Sequence, residues 1–414
     1  MHIEIICIGT ELLLDFVNTN TALISERLAT VGLKTTRVIT VGDDFSELKN
    51  VFAESLNRSD IVVTCGGLGP TFDDITVEVV SKTICKRLVL NKELLKKIAD
   101  YFEKKNIKMP KSTEKQAYIL ESAEIIPNNL GTASGEIVEL NNKTVILLPG
   151  PPRELKPMLD ETVVPYLKKR FEKNILKVKT LHTTGLSESY IDDKIKKIVE
   201  IEKRLEGSEV KFIILSKHTG VDIKIMLSGT DELLIDKTIK NLKQEFYDIL
   251  KENIYGEDNQ LLESVVGELL LKKRKTLAVA ESCTGGLITH RLTNVAGSSL
   301  YFKEGVVAYS DNSKKRIFGV KEETLNKYGA VSKEIAKEMA ESIKKIATTN
   351  FGLSTTGIAG PKPSSTGKPV GLVYIGLTSD KETIVKQFNF SGSRTEIKDK
   401  IATAALDILR KSLI

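Results

Sequence analysis

KTLAVAESCTGGLITHRL, residues Lys275–Leu292, decides the fold. The apolar run Leu277–Ala280 is short and reads as a buried strand. SCTGG makes a tight turn, and LITHRL opens a helix. Strand, turn and helix in that order form the repeating unit of a parallel α/β sheet. The turn sets Ser282, Cys283 and Thr284 side by side. Ser282 or Cys283 has the chemistry of a nucleophile; Ser282 or Thr284 has that of a helix cap. Helix N-termini attract anions, and Gly285 and Gly286 permit close approach. Taken alone, the stretch leaves these readings open.

The same alternation continues outward. GVVAYS, FGLSTTG, VGLVYIGLT and TIVKQFNF read as further strands separated by helical stretches, and SRTEIKDKIATAALDILRKSL closes the chain as a helix. Residues 261–414 thus form one α/β domain. Residues 1–171 alternate likewise, from the strand HIEIICIG through the helix TNTALISERLATVG to DIVVTCGGLGP, with Asp44 and Glu47 placed for a capping box. Between them, residues 172–253 read as a small α+β module with the strands NILKVKTLHTTG, VKFIILSK and GVDIKIMLSG and the helix SESYIDDKIKKIVEIEKRL. GEDNQ suggests a linker over 254–260. The expected class is α/β: two doubly wound α/β domains joined by a small α+β module.

Composition narrows the function. The chain has 414 residues, 41% of them hydrophobic, enough for more than one core. No apolar run approaches the roughly 18 residues of a membrane span, and MHIEIICIGTE reads as a strand rather than a signal peptide. Cys7, Cys65, Cys85 and Cys283 form no CxxC pair, which points to reduced thiols in a cytoplasmic protein and away from structural zinc. His2, His182, His218 and His290 make no metal-binding pattern. The net charge of +6 is spread over Lys–Glu helix faces; it serves solubility and tolerates phosphorylated substrates.

Three loops of the first domain follow strands: GTELL, GGLGPTFDDIT and LPGPPREL. In α/β sheets such loops line the ligand crevice. Gly66, Gly67, Gly69, Pro70 and Thr71 stand where backbone can approach a phosphate; Gly9, Glu11 and Gly150 lie on the neighbouring loops. Asp73 and Asp74 either hold a divalent cation against phosphate oxygens or cap the next helix, and Glu154 is a further carboxylate. GTELL followed by NTN, GGLGPTFDD and LLPGPPREL together resemble the N-terminal domain of the CinA family, which is similar to molybdopterin-binding domains of the MoaB/MogA type. That resemblance covers residues 1–170. It implies an ADP-ribose pyrophosphatase using a divalent metal ion and yielding AMP and ribose 5-phosphate. Asp15 stands where the family usually has glycine.

In the C-terminal domain, AYSDNSK places Tyr309 and Lys314 five residues apart, able to aim a phenol and an amine into one cleft. A lysine beside a serine takes its proton if its pKa is lowered, although Lys315 and Arg316 beside it suit an ordinary solvated lysine. Thr355, Thr356 and Gly357 of LSTTGIAGP offer donors, and Arg394 begins the last helix. AESCTGG, AYSDNSK, TGIAGP and KPVG, in that order, resemble the CinA C-terminal, or PncC, domain. The resemblance implies deamidation of nicotinamide mononucleotide (NMN) to nicotinate mononucleotide and ammonia. It also implies Ser282 as nucleophile with Lys314 and Tyr309 as partners, substrate contacts from Thr284, Gly285, Gly286, Thr356, Gly357 and Arg394, and no cofactor. KPSSTG, residues 362–367, replaces a loop usually rich in glycine. The middle segment resembles the family's KH-type module. It lacks a GxxG loop, so nucleic acid is an unexpected partner and a spacer or homodimerisation role is expected. Rival classes are a molybdopterin-binding protein and a nucleic-acid-associated competence or damage factor.

Overall fold

The computed structural model describes residues 1–171, 175–202, 208–363 and 367–414. The expected boundary at 172, the end of the helix drawn through Leu205, and Ser364, Ser365 and Thr366 of the KPSSTG loop lie outside the described residues. The chain forms two compact units, one mainly Met1–Lys177 and the other mainly the rest.

In the first unit, β1 (Ile3–Ile8), β2 (Arg37–Val41) and β3 (Ile61–Cys65) precede a two-stranded ribbon of β4 (Leu88–Leu90) and β5 (Tyr118–Leu120). Then come β6 (Glu124–Ile126), β7 (Gly135–Leu140) and β8 (Lys143–Leu148). The main sheet runs β2-β1-β3-β8-β7-β6. Its first four strands are parallel, and β7 and β6 finish it antiparallel. Alternation along β1 explains the two layers of helices. Ile3, Ile5 and Cys7 join one core, with residues of the helix Asn20–Ala29, and Ile6 and Ile8 join the other, with residues of the helix Phe45–Arg58. Each such fully buried aliphatic side chain contributes about 1.5–3 kcal/mol. Asp44 caps the helix Phe45–Arg58, accepting from the Glu47 amide at 2.8 Å.

The rest of the chain contains two further sheets. β9 (Ile175–Thr183), β10 (Ser208–Lys217), β11 (Gly220–Gly229) and β12 (Ile254–Glu257) pair in the order β10-β11-β9-β12. The expected linker over 254–260 therefore begins as a strand: Ile254 and Gly256 are buried, and β12 pairs antiparallel with β9. The polar GEDNQ sequence concealed this, because Glu257 is paired with Lys179, Lys243 and Tyr247. His182 is structural, held between Asp222 at 2.8 Å and the Asp258 carbonyl at 2.6 Å.

The other sheet contains β13 (Leu277–Glu281), β14 (Phe302–Val307), β15 (Phe351–Gly357), β16 (Leu372–Thr378) and β17 (Thr383–Asn389). Its order is β14-β13-β15-β16-β17, parallel through the first three strands and antiparallel beyond. Leu277 and Val279 face the core that includes the C-terminal helix, while Ala278 and Ala280 face the core under the helix Lys333–Ile346. In both α/β sheets the chain leaves its first strand for one neighbour and later returns on the other side. The switch points thus lie at the C-terminal ends of β1 and β3, and of β13 and β15. No described helix is long and apolar enough to cross a membrane.

Candidate functional site

Beyond β13 and β15 lies a cavity of about 240 Å³. Ser282, Cys283, Tyr309, Asp311, Lys314, Ala330, Val331, Thr356, Gly357, Lys362 and Arg394 are among its lining residues. Ser282 follows β13, and its amide donates to the Thr355 carbonyl at 3.1 Å, which ties the turn to β15. Ser310 caps the helix Asp311–Phe318. Lys314 and Phe318 lie one turn apart on its buried face, so the lysine points inward while Lys315 does not. Lys314 is only 2% exposed, and burial holds its pKa below the ordinary lysine value, against the weaker pull of Asp311 at 3.8 Å. Its ammonium also donates to the Tyr309 carbonyl at 3.1 Å. Arg394 opens the last helix, fixed by the Ser393–Glu396 capping box. Its guanidinium donates to the Gly360 carbonyl and, at 2.9 Å, to the Tyr309 hydroxyl. The Thr356 hydroxyl donates to the Ala330 carbonyl at 2.7 Å, clamping one wall.

Three expected substrate contacts lie elsewhere. Thr284 is fully buried, its hydroxyl 2.8 Å from that of Thr355. Gly285 and Gly286 do not line the cavity. The helix N-terminus that suggested an anion site is already filled from within the chain. Glu281, 0% exposed, accepts from the amides of Gly286 at 2.9 Å, Ile288 at 3.2 Å and Thr289 at 2.8 Å. Sequence reading took Glu281 as the last strand residue and missed this. Cys283 packs in the core as well as lining the cavity, and burial pushes its thiol up to about 12, which disfavours the thiolate.

In the first unit a cavity of about 400 Å³ lies beyond β1 and β3. Gly9, Glu11, Gly66, Gly67, Gly69, Pro70, Thr71, Asp73, Asp74, Gly150 and Glu154 all line it. Asp43, Tyr101, Gln116 and Thr132 do so too, and were not foreseen, since they come from distant segments. Asp15 is exposed and outside the lining. Asp73 and Asp74 do not cap the helix Thr76–Ile84, whose N-cap is Ile75. They converge instead on the Thr71 hydroxyl, and Asp74 also accepts from the Thr71 amide at 2.8 Å. Glu154 is bound to the Asn128 side chain at 2.8 Å. Among the described residues no three His, Cys, Asp or Glu side chains form a metal cluster, so the expected set of Asp73, Asp74 and Glu154 is not a cage. The remaining pair suits a cation that takes one or two carboxylates and completes its shell with water and phosphate, as Mg²⁺ does. Three carboxylates lie tight against glycines. An added Cβ at Gly9 would meet Glu11 at 2.5 Å, at Gly69 Asp74 at 2.4 Å and at Gly131 Glu154 at 2.4 Å.

Three family descriptions match the chain: "Probable molybdopterin binding domain" over residues 4–169, "Damage-inducible protein CinA KH domain" over 178–256 and "CinA C-terminal domain" over 259–413. A CinA-like protein of Endomicrobium trichonymphae is 46% identical, covering 100% of this chain and 99% of that protein. A putative competence-damage inducible protein of Caldicellulosiruptor saccharolyticus is 44% identical, covering all of both chains. Among solved structures, the protein CinA of Thermoplasma acidophilum is 36% identical, covers 40% of this chain and 99% of its own, and has a TM-score of 0.37.

Proposed function

The chain belongs to the CinA family, and on that premise we propose that it is a bifunctional hydrolase of pyridine-nucleotide recycling. Its C-terminal domain deamidates NMN, and its N-terminal domain splits ADP-ribose into AMP and ribose 5-phosphate. The observation that carries the first activity is a buried lysine with a lowered pKa on the same small cavity as Ser282.

In this reading Lys314, neutral, takes the Ser282 proton as Oγ attacks the carboxamide carbon. The tetrahedral oxyanion collapses, the C–N bond breaks, and Lys314 returns the proton to the leaving ammonia. Water then hydrolyses the acyl ester with the same lysine as base, releasing the carboxylate and freeing Ser282. Arg394, steadied by Tyr309 and Gly360, supplies charge for the nucleotide phosphate. In the N-terminal domain the GGLGPT backbone receives the diphosphate. Asp73 and Asp74 would hold a divalent cation there, which supplies neutralisation of phosphate charge.

Ammonia release from NMN by the purified full chain tests the first activity. Ser282→Ala is expected to lower it by about a thousandfold or more. Unchanged release in that variant removes Ser282 from the mechanism. Product analysis with ADP-ribose and Mg²⁺ tests the second activity, and absence of AMP overturns it.

A further inference from the structure

The cavity at Ser282 is charged to suit an anion. Lys314, Lys362 and Arg394 line it, and Lys368 stands behind one wall, donating to the Val331 carbonyl at 2.6 Å. The Cys283 thiol after β13 and the Tyr309 phenol after β14 face the same space. Among the described lining residues the one carboxylate is Asp311. A carboxylate there repels a substrate phosphate, so it costs binding unless it serves another group.

The geometry points that service at the buried lysine. Asp311 opens the helix Asp311–Phe318, and Lys314 follows three residues on, so the two side chains share one face. Asp311 Oδ1 lies 3.8 Å from the Lys314 ammonium. That is near enough for attraction and too far for a hydrogen bond. The carboxylate thus favours a charged lysine without fixing where its N–H groups point; the Tyr309 carbonyl accepts one of them at 3.1 Å. The two side chains meet different surroundings, 2% exposed for Lys314 and 63% for Asp311. Burial opposes the charge on the lysine, and the carboxylate, open to water, offsets part of that opposition. A general base needs such a balance. Too ready a loss of its proton makes it a weak acceptor, and too firm a hold leaves it unable to accept. On taking the Ser282 proton, Lys314 becomes an ammonium among other cations, where a nearby carboxylate stabilises the charge as it forms.

We propose that Asp311 is a positioning residue of the amide-hydrolysing site, setting the proton affinity of Lys314 and stabilising the ammonium formed when Ser282 attacks. It stands to the lysine as the aspartate of a serine–histidine–aspartate triad stands to its histidine, taking no proton itself. The proposal rests on the reading of Lys314 as the base of that site.

Two measurements on the full chain test it. One follows the Lys314 titration by NMR with isotope-labelled lysine and no substrate, its signal identified by its loss in Lys314→Arg. The other is the pH profile of kcat/KM for NMN. Asp311→Asn removes the charge and keeps the shape. It is expected to lower the Lys314 midpoint by about half a pH unit or more, because burial then acts with less opposition. The rise in kcat/KM moves to lower pH by the same amount. On the plateau kcat falls about fivefold or more, as a weaker base accepts less readily, and KM is little changed. Asp311→Glu, which keeps the charge, is expected to retain the original midpoint. An unmoved midpoint in Asp311→Asn overturns the proposal; joined to lower heat stability, it marks a carboxylate that serves the helix N-terminus only. A raised KM with kcat and midpoint unchanged overturns it too, as the sign of a substrate contact. A midpoint that moves in a protein that leaves NMN intact supports the pairing of Asp311 with Lys314 and overturns the deamidase reading instead.

Discussion

Glu281→Gln is an isosteric change that touches no cavity-lining atom, yet it strikes the turn that carries Ser282. The carboxylate accepts three amides, two on Oε2 and one on Oε1. A carboxamide keeps one acceptor oxygen and turns an NH₂ toward the remaining donor. If the oxygen serves Gly286 and Ile288, the Thr289 amide is left buried and unpaired, a loss of about 1–3 kcal/mol. The two surviving bonds lose their charge assistance, and the helix N-terminus loses its anion, another ~1 kcal/mol or more. Together the local opening free energy falls by about 3 kcal/mol, or roughly a hundredfold in the opening equilibrium. Hydrogen–deuterium exchange of the peptide spanning 281–293 reads this directly, because amide exchange follows local opening. The Gly286, Ile288 and Thr289 amides are expected to exchange about a hundredfold faster. Ammonia release is expected to fall about tenfold or more in kcat, with KM for NMN little changed, since a loosened turn misplaces the attacking hydroxyl. An acceleration of less than about threefold at those amides would refute the reasoning, because the carboxylate would then not be what holds the turn.

Other outcomes follow from the same sites. On the proposed mechanism, in which Lys314 is the neutral base, kcat/KM for NMN is expected to rise with pH through its lowered pKa and then level off; Lys314→Arg, always charged, is expected to remove that rise and most of the activity in a pH–rate profile. Cys283→Ala keeps ammonia release at a cost of about 1 kcal/mol in stability, and iodoacetamide fails to inhibit the unaltered protein, because the thiol is buried and protonated. EDTA abolishes AMP formation from ADP-ribose and leaves ammonia release from NMN intact; Asp73→Asn has the same selectivity, and equal loss of both activities contradicts the separation of the sites.

Periodicity made the α/β sheets legible, because apolar strand runs bounded by glycine turns carry their own signal. The strand read in Leu277–Glu281 and the helix read after Gly286 stand as read. What escaped was set by partners remote in sequence. Lys314, one of three consecutive basic residues, is a candidate from the sequence but left there between cleft and solvent; helical phase, marked by Phe318 one turn on, puts it on the buried face. Glu136 escaped as well: it is buried on β7, and the cavity it lines takes Gln116 and Phe72 from two other segments. Ile254–Glu257 looked like linker because its polar residues are paired across the sheet, which composition cannot reveal. Thr284 looked like a ligand contact because hydroxyls at a strand end serve either purpose; a second buried threonine from β15 decided for the core.

The glycines beside Glu11, Asp74 and Glu154 make mutational damage in the first domain hard to recognise. A methyl group at Gly69 or Gly131 collides with the far end of a flexible carboxylate and not with backbone. The carboxylate has to give way, at the cost of the bonds that hold Asp74 to Thr71 or Glu154 to Asn128, while the backbone around it stays in place. The geometry of negative charge around the cavity changes with it. Alanine at Gly69 or Gly131 is therefore equivalent to moving the acid itself, and a survey confined to the charged residues would miss it.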